Sequence, residues 1–170
     1  MRNAIGILVF LLLAVSLWTK MEEETGGNLP PNTPTPNFSW QTFNGADHRF
    51  SEFTGRKVVL HFWASWCGPC RGEFPELLKA ASRHRDIIFL TVSCDEDVDK
   101  AQAFIRQAEE AANTGHLSNV FYAFDASKKI TFGTFMTAQL PETILIDSAL
   151  HMRRKIPSTA NWNKDELLNY

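Results

Sequence analysis

The sequence predicts one α/β domain built on a mixed central sheet, and three observations carry the prediction. Apolar runs of strand length alternate with segments of helical periodicity along most of the chain. The sharpest junction is at Trp66-Cys67-Gly68-Pro69-Cys70, where the run Val58-Val59-Leu60-His61-Phe62-Trp63-Ala64 meets a stretch with apolar residues at Phe74, Leu77, Leu78 and Ala81. The chain then ends in a strand, a hairpin partner and a helical tail. At 44% hydrophobic and 21% charged, the 170 residues have the composition of a core former. A formal net charge of −2 gives no basis for a nucleic-acid partner.

Taken in order, the chain divides into a targeting segment (1–20), a linker (21–36) and a domain (37–170). Arg2 precedes an uncharged apolar stretch from Asn3 to Thr19, and Lys20 and Glu22-Glu23-Glu24 follow it, a pattern that predicts export of everything downstream. Ala14-Val15-Ser16 is a candidate cleavage site for a signal peptide. Seventeen residues at about 1.5 Å each also come near the short limit for a membrane span. The apolar run continues through Leu17-Trp18, which favours an uncleaved signal anchor, and no nearby cysteine offers a lipid attachment point. Met21 to Pro36, with Gly26-Gly27 and four prolines, reads as an extended linker.

Within the domain, Phe38–Phe43 and Asp47–Phe53 around Asn44-Gly45 read as a hairpin. Lys57–Ala64 is the first core strand, followed by a helix from the Cys-x-x-Cys to Arg83 that Pro75 should kink. Asp86–Ser93 is a second buried strand and Val98–Ala112 a helix behind Asp95-Glu96-Asp97. Val120–Phe124 is a third strand, and Ala126–Phe135 a short helix weakened by Gly133. Thr143–Asp147 is a fourth strand, Leu150–Ile156 its hairpin partner, and Asn163–Tyr170 a final helix.

The chemistry concentrates at the Cys-x-x-Cys. Cys67 is predicted at a helix N-terminus, where free N–H groups and the macrodipole favour an anion and so a nucleophilic thiolate. Pro69 is tolerated in the first turn, where its missing N–H costs nothing. Cys70, one turn on and less exposed, is placed to attack a mixed disulfide at Cys67. Other uses of the motif fare worse. Structural zinc needs a second ligand pair, and c-type haem attachment needs His where Arg71 stands. No metal site and no cofactor beyond a redox-active Cys67–Cys70 disulfide are expected. The acidic run at 95–97 reads as a solvated helix start, Cys94 as a buried inert thiol, and Trp40, Phe62, Phe89 and Phe132 as core.

Phe62-Trp63-Ala64-Ser65-Trp66-Cys67-Gly68-Pro69-Cys70-Arg71 resembles the active site of the thioredoxin superfamily. The exported N-terminus, the continuation through Gly72-Glu73-Phe74-Pro75-Glu76-Leu77, and Leu140-Pro141-Glu142-Thr143-Ile144-Leu145-Ile146-Asp147 resemble its membrane-anchored TlpA/ResA/DsbE-type branch. The resemblance implies a thioredoxin-like fold: a mixed central sheet with helices on both faces, an N-terminal hairpin, and a βα insertion after the active-site helix, matched by Val98–Ala112. It implies Cys67 as the attacking thiol, Cys70 as the resolving thiol and Pro141 as a cis-proline facing the disulfide. Leu140 would offer its backbone to an extended substrate segment. Trp66, Gly68 and Pro69 belong to the motif, Glu73 stands where the branch often has an acid near the thiols, and Glu142 follows the proline. His61 departs from the pattern, standing where thioredoxin proper has a buried acid and this branch commonly has Asn. An imidazole there could accept the proton that leaves Cys70, or be an ordinary hydrogen-bonded core histidine.

Function then reads as a thiol–disulfide oxidoreductase outside the cytoplasm, in the periplasm or its equivalent, tethered by residues 3–19. The Gly68-Pro69 dipeptide, found in strongly reducing thioredoxins, favours reduction of exported protein disulfides, with apocytochrome c thiols a substrate implied by resemblance. A reducing dithiol in an oxidising compartment needs a transmembrane electron donor. The alternatives are a general thiol oxidant or isomerase, and a non-catalytic thioredoxin-like module that binds partners at the Pro141 groove.

Overall fold

The computed structural model describes residues 28–170. The signal anchor or signal peptide read at 1–20, and residues 21–27 of the linker, lie outside the described residues. No helix among the described residues is long and apolar enough to cross a membrane.

Strand β4 (Val58–Trp63) is the centre of a six-stranded mixed sheet. On one side lie β5 (Ile88–Ser93) and then β6 (Val120–Phe124), each parallel to its neighbour. On the other lie β7 (Glu142–Ile146), β8 (His151–Pro157) and β1 (Asn28–Pro34), all antiparallel. Every residue of β4, β5 and β7 is buried. That is why these segments read as continuous apolar runs and not as alternating ones: both faces of the sheet are covered.

Strand alternation sends Val59, His61 and Trp63 to one face of β4 and Val58, Leu60 and Phe62 to the other. The first face packs against α1 (Gly68–Arg83) and α2 (Val98–Ala112), with Phe74, Leu77, Leu78, Phe104 and Ile105 in one buried cluster. Phe74 is wedged edge-on between Trp63 and Phe104, with ring centroids 5.0 Å and 5.3 Å away. Burying a side chain of this size contributes about 1.5–3 kcal/mol. The second face is covered by the hairpin β2 (Ser39–Gln41) and β3 (Asp47–Arg49), a 3-10 turn at Phe50–Phe53, and a π-helical turn at Lys129–Thr134 followed by Phe135. Helical segments therefore flank both faces, but the two long ones share the first. Helix α2 and β6 together form the insertion, which extends the sheet at the β5 edge.

Four elements differ from the sequence reading. Part of the expected linker is β1, which pairs with β8, so the sheet begins at Asn28 and not after residue 36. Prolines are compatible with that place because an edge strand can leave one row of groups unpaired. The second hairpin arm stops at Arg49: Phe50 and Phe53 must both reach the same buried face, which residues i and i+3 do in a helical turn and not in a strand. The helix expected over 126–135 contracts to the π-helical turn, because Asp125 captures the Thr131 N–H and hydroxyl at 2.8 Å and 2.9 Å. The helix expected over 163–170 is one 3-10 turn at Asp165–Leu168. There the Tyr170 hydroxyl donates to Val58 O at 3.1 Å and Lys57 Nζ to Leu168 O at 3.4 Å, tying the tail to the start of β4. Helix α1 carries Pro75 in its interior.

Candidate active site

The junction between β4 and α1 builds the dithiol. Cys67 is the N-cap of α1, with extended backbone (φ −80°, ψ 107°), and its Sγ accepts the Cys70 N–H at 3.2 Å. A cap of this kind satisfies one of the helix's orphan donors, and when reduced the same position stabilises a thiolate. The two sulfurs are joined at 2.07 Å, with Cys67 5% and Cys70 0% exposed. Only the first cysteine has any access to a partner.

The turn before it is pinned from the neighbouring strand. Asp95, itself buried, accepts from Ser65 N at 2.9 Å, Ser65 Oγ at 2.7 Å and Ser93 Oγ at 2.7 Å. Arg71 Nη1 donates to Ser65 O at 3.1 Å from the first turn of α1. The acidic run is thus not uniformly solvated: Asp97 caps α2 and Glu96 pairs with Lys128, but Asp95 faces inward because β5 ends there and two hydroxyls and a backbone N–H await it. Cys94 is fully buried and donates to Thr131 Oγ1 at 3.2 Å; burial, ahead of nearby carboxylates, pushes its thiol up to about 11. It is inert at neutral pH.

Trp66, Cys67, Gly68, Pro69 and Leu140 converge on one cleft of about 430 Å³, closed by Phe132, Ala138 and Gln139. The Leu140–Pro141 peptide is cis. Trp66 stands 67% exposed at the rim, and Phe132, expected in the core, is 42% exposed on the opposite lip. It sits there because the π-helical turn buries Thr131 and turns the next residue out. Glu142 is not part of this cleft. It lies on the other face of the sheet, where the Thr137 hydroxyl donates to it at 2.7 Å and Lys155 Nζ lies 3.2 Å away. Strand alternation after Pro141 sends Thr143, and not Glu142, toward the dithiol's side.

Glu73 and His61 meet beneath the dithiol. Glu73, one turn after Cys70, is buried; its Oε2 accepts from Ala160 N at 2.8 Å and Trp162 Nε1 at 3.3 Å, while Oε1 lies 3.6 Å from His61 Nε2. The second imidazole nitrogen, Nδ1, is 3.0 Å from Thr143 Oγ1. Burial pushes the Glu73 carboxyl up to about 7, against the two donors that favour its charged form. Burial alone takes the His61 imidazole down to about 3. Both shifts have one cause, loss of water around a charge, and both favour uncharged forms, so the pair is not a fixed ion pair despite its geometry. Sequence reasoning did not find Ala160, Trp162, Thr143 or Asp95. Trp162 alone left a trace, as a large aromatic in a tail otherwise polar around it.

Known proteins resemble this chain over most of its length. The AhpC/TSA family profile matches residues 31–155. The thioredoxin-like protein YneN of Bacillus subtilis is 30% identical over 105 residues, covering 59% of this chain and 61% of YneN. The thiol-disulfide oxidoreductase ResA of Geobacillus kaustophilus is 26% identical over 161 residues, 94% of this chain and 87% of that protein. A Chlorobium tepidum structure described as the thiol:disulfide interchange protein DsbE superposes with a TM-score of 0.66 at 26% identity, over 83% of this chain and 94% of that one. With the fold, the Cys67–Cys70 pair and a family match over most of its length, the chain is a thioredoxin-like member of the AhpC/TSA family.

Proposed function

We propose that this protein is a thiol–disulfide oxidoreductase that works outside the cytoplasm, tethered by its N-terminal segment, and reduces disulfides in exported proteins. The observation that carries the reading is the Cys67–Cys70 disulfide at the N-terminus of α1, opening into an apolar cleft beside the cis Leu140–Pro141 peptide. In the reduced enzyme the Cys67 thiolate attacks one sulfur of a substrate disulfide, forming a mixed disulfide and expelling the first substrate thiolate. Cys70, deprotonated, then attacks Cys67 Sγ, which closes the disulfide and releases the second. Two electrons pass to the substrate, whose thiolates take up the two protons. Recharging the pair requires a donor of electrons from across the membrane. Export rests on the Arg2-then-apolar N-terminus, and apocytochrome c as a substrate class rests on the likeness to ResA-type proteins.

The test is insulin reduction by the intact protein, which should vanish in Cys67→Ser, together with capture of exported partners by Cys70→Ser. A midpoint potential near that of thioredoxin, about −270 mV, supports the reductase direction. A value near −120 mV would replace it with a thiol oxidant. Insulin reduction that persists in Cys67→Ser overturns the dithiol mechanism.

A further inference from the structure

Arg153 and Arg154 are neighbours on β8 in unlike surroundings. The β7–β8 register slips there: Leu145 pairs with Arg154 and Ile146 with Met152, so Arg153 is the extra residue of a bulge. Arg153 Nη1 has a carboxylate oxygen 3.8 Å away, Asp147 Oδ2. Arg154 has no carboxylate within ion-pair distance among the described residues, and its Nε is shut off from solvent without a hydrogen-bond partner. A guanidinium cannot escape burial by giving up its proton, as a lysine can. Buried N–H groups of this kind are ordinarily bonded.

Paired with Leu145, Arg154 lies on the sheet face that packs against the long helices and the tail. There it lines two clefts of about 320 and 310 Å³. The first also holds Lys164, Thr159 and Asn161, which add an exposed ammonium, a hydroxyl and a side-chain amide. Glu166 borders both clefts without pairing with Arg154. Two cations thus stand against one carboxylate, and the guanidinium that reaches deepest is the group left without an acceptor.

We infer that Arg154, with Lys164, Thr159 and Asn161, forms a binding site for a phosphate-class oxyanion on the tail side of β8. Such an anion gives the guanidinium fork two parallel acceptors, and its remaining oxygens suit the hydroxyl, amide and ammonium. The site is independent of the dithiol and goes beyond the oxidoreductase reading. Two sources carry this chemistry, free phosphate or its monoesters and the headgroup of an anionic lipid. The second is within reach if the chain is tethered as proposed above. Asn28 pairs with Arg154 in the sheet, and eight residues, 20–27, separate it from the apolar stretch that ends at Thr19. Eight residues span at most about 28 Å.

The experiment titrates inorganic phosphate into oxidised full-length protein in a nonionic detergent, with chloride of equal ionic strength as the control. Calorimetry should find one saturable site, and the thermal midpoint should rise by about 3–6 °C at a tenfold excess over Kd. Arg154→Met keeps the apolar stem and should weaken binding by about 10- to 100-fold. It should also abolish the rise without lowering the midpoint in phosphate-free buffer, because it removes an unpaired buried cation. Arg154→Lys keeps the charge but loses the fork; it should bind more weakly than the wild type, and it carries the test if the Met variant proves unfolded by circular dichroism. Glu166→Gln should tighten phosphate by about 2- to 5-fold. Arg106→Gln, exposed on α2, should bind like the wild type. Reconstitution into vesicles separates the sources, and either source sustains the inference. If phosphatidylglycerol raises the midpoint over phosphatidylcholine and phosphate then adds nothing, the occupant is the lipid headgroup; if phosphate still adds its full rise, it is the free ion. A phosphate effect no larger than that of chloride, or equal in the wild type and the Arg154 variants, overturns the inference. A Glu166→Gln variant that is less stable and binds phosphate no better also overturns it, since Glu166 would then be the partner of Arg154.

Discussion

Replacing Glu73 by Gln should change how the stability of the oxidised protein depends on pH. In the folded state burial holds the carboxyl at about 7, whereas in the unfolded chain it titrates at its ordinary 4.5. The folded state therefore prefers the protonated form. The stability this contributes is fully present below pH 4.5 and is lost as pH rises through 7. The gap corresponds to about 3 kcal/mol at 1.36 kcal/mol per pH unit. The residue is only 7% exposed, so solvent screening takes little from that figure. Glutamine fills the same space and can still accept from Ala160 N and Trp162 Nε1, but it does not ionise. Urea unfolding of the oxidised wild type and Glu73→Gln at intervals between pH 4 and 8 isolates the effect, because other groups cancel in the difference. The wild type should lose about 3 kcal/mol relative to the variant across that range. Parallel curves would refute the assignment of a raised carboxyl to this site.

Other substitutions test the frame around the site. Asn119→Ala should destabilise by about 1–3 kcal/mol in urea unfolding, because the Nδ2 amide donates to Ala81 O, His84 O and Ile87 O at 2.9–3.1 Å and those carbonyls would lose their partner. Asp97→Ala removes the cap of α2, which accepts from Asp99 N and Lys100 N, and should cost about 1 kcal/mol by the same measurement. Phe74→Ala empties a fully buried position between Trp63 and Phe104 and should cost about 3–5 kcal/mol, lowering the thermal midpoint steeply. Phe132→Ala, at an exposed lip, should leave stability within about 1 kcal/mol while raising KM for an apolar disulfide peptide; an unchanged KM would remove that residue from the docking surface.

Long apolar runs were legible because burial on both sheet faces leaves no room for ambiguity. Residues 58–63 and 88–93 could only be inner strands, and the Phe74, Leu77, Leu78, Ala81 spacing only a helix facing them. The Cys67–Cys70 pair was legible for a similar reason, since its chemistry depends on adjacency in sequence and on the helix start beside it. Elements set by contacts across the chain were not. Phe50–Phe53 turns helical to bring two rings to one face, Asn28–Pro34 becomes a strand because β8 offers it an edge, and the tail forms only one 3-10 turn where Lys57 and Tyr170 tie it to the start of β4. Phe132 looks like a core residue by composition and is turned outward by Asp125 gripping Thr131.

The sequence by itself determined the fold class, the reactive dithiol and its polarity, with Cys67 outward and Cys70 inward. Each of these follows from local periodicity and helix-end electrostatics. Only the tertiary structure decided which polar groups serve that dithiol. Glu142 and Glu73 were both named in the sequence, Glu73 by resemblance and Glu142 only as the residue after Pro141; strand alternation turns Glu142 toward Lys155, and helix periodicity sets Glu73 one turn after Cys70. His61 acquires a partner only because β4, α1, β7 and the tail converge there, bringing residues as far apart as 61 and 162 to one buried point. The meeting of these buried polar groups is a property of that convergence. No spacing along the chain encodes it.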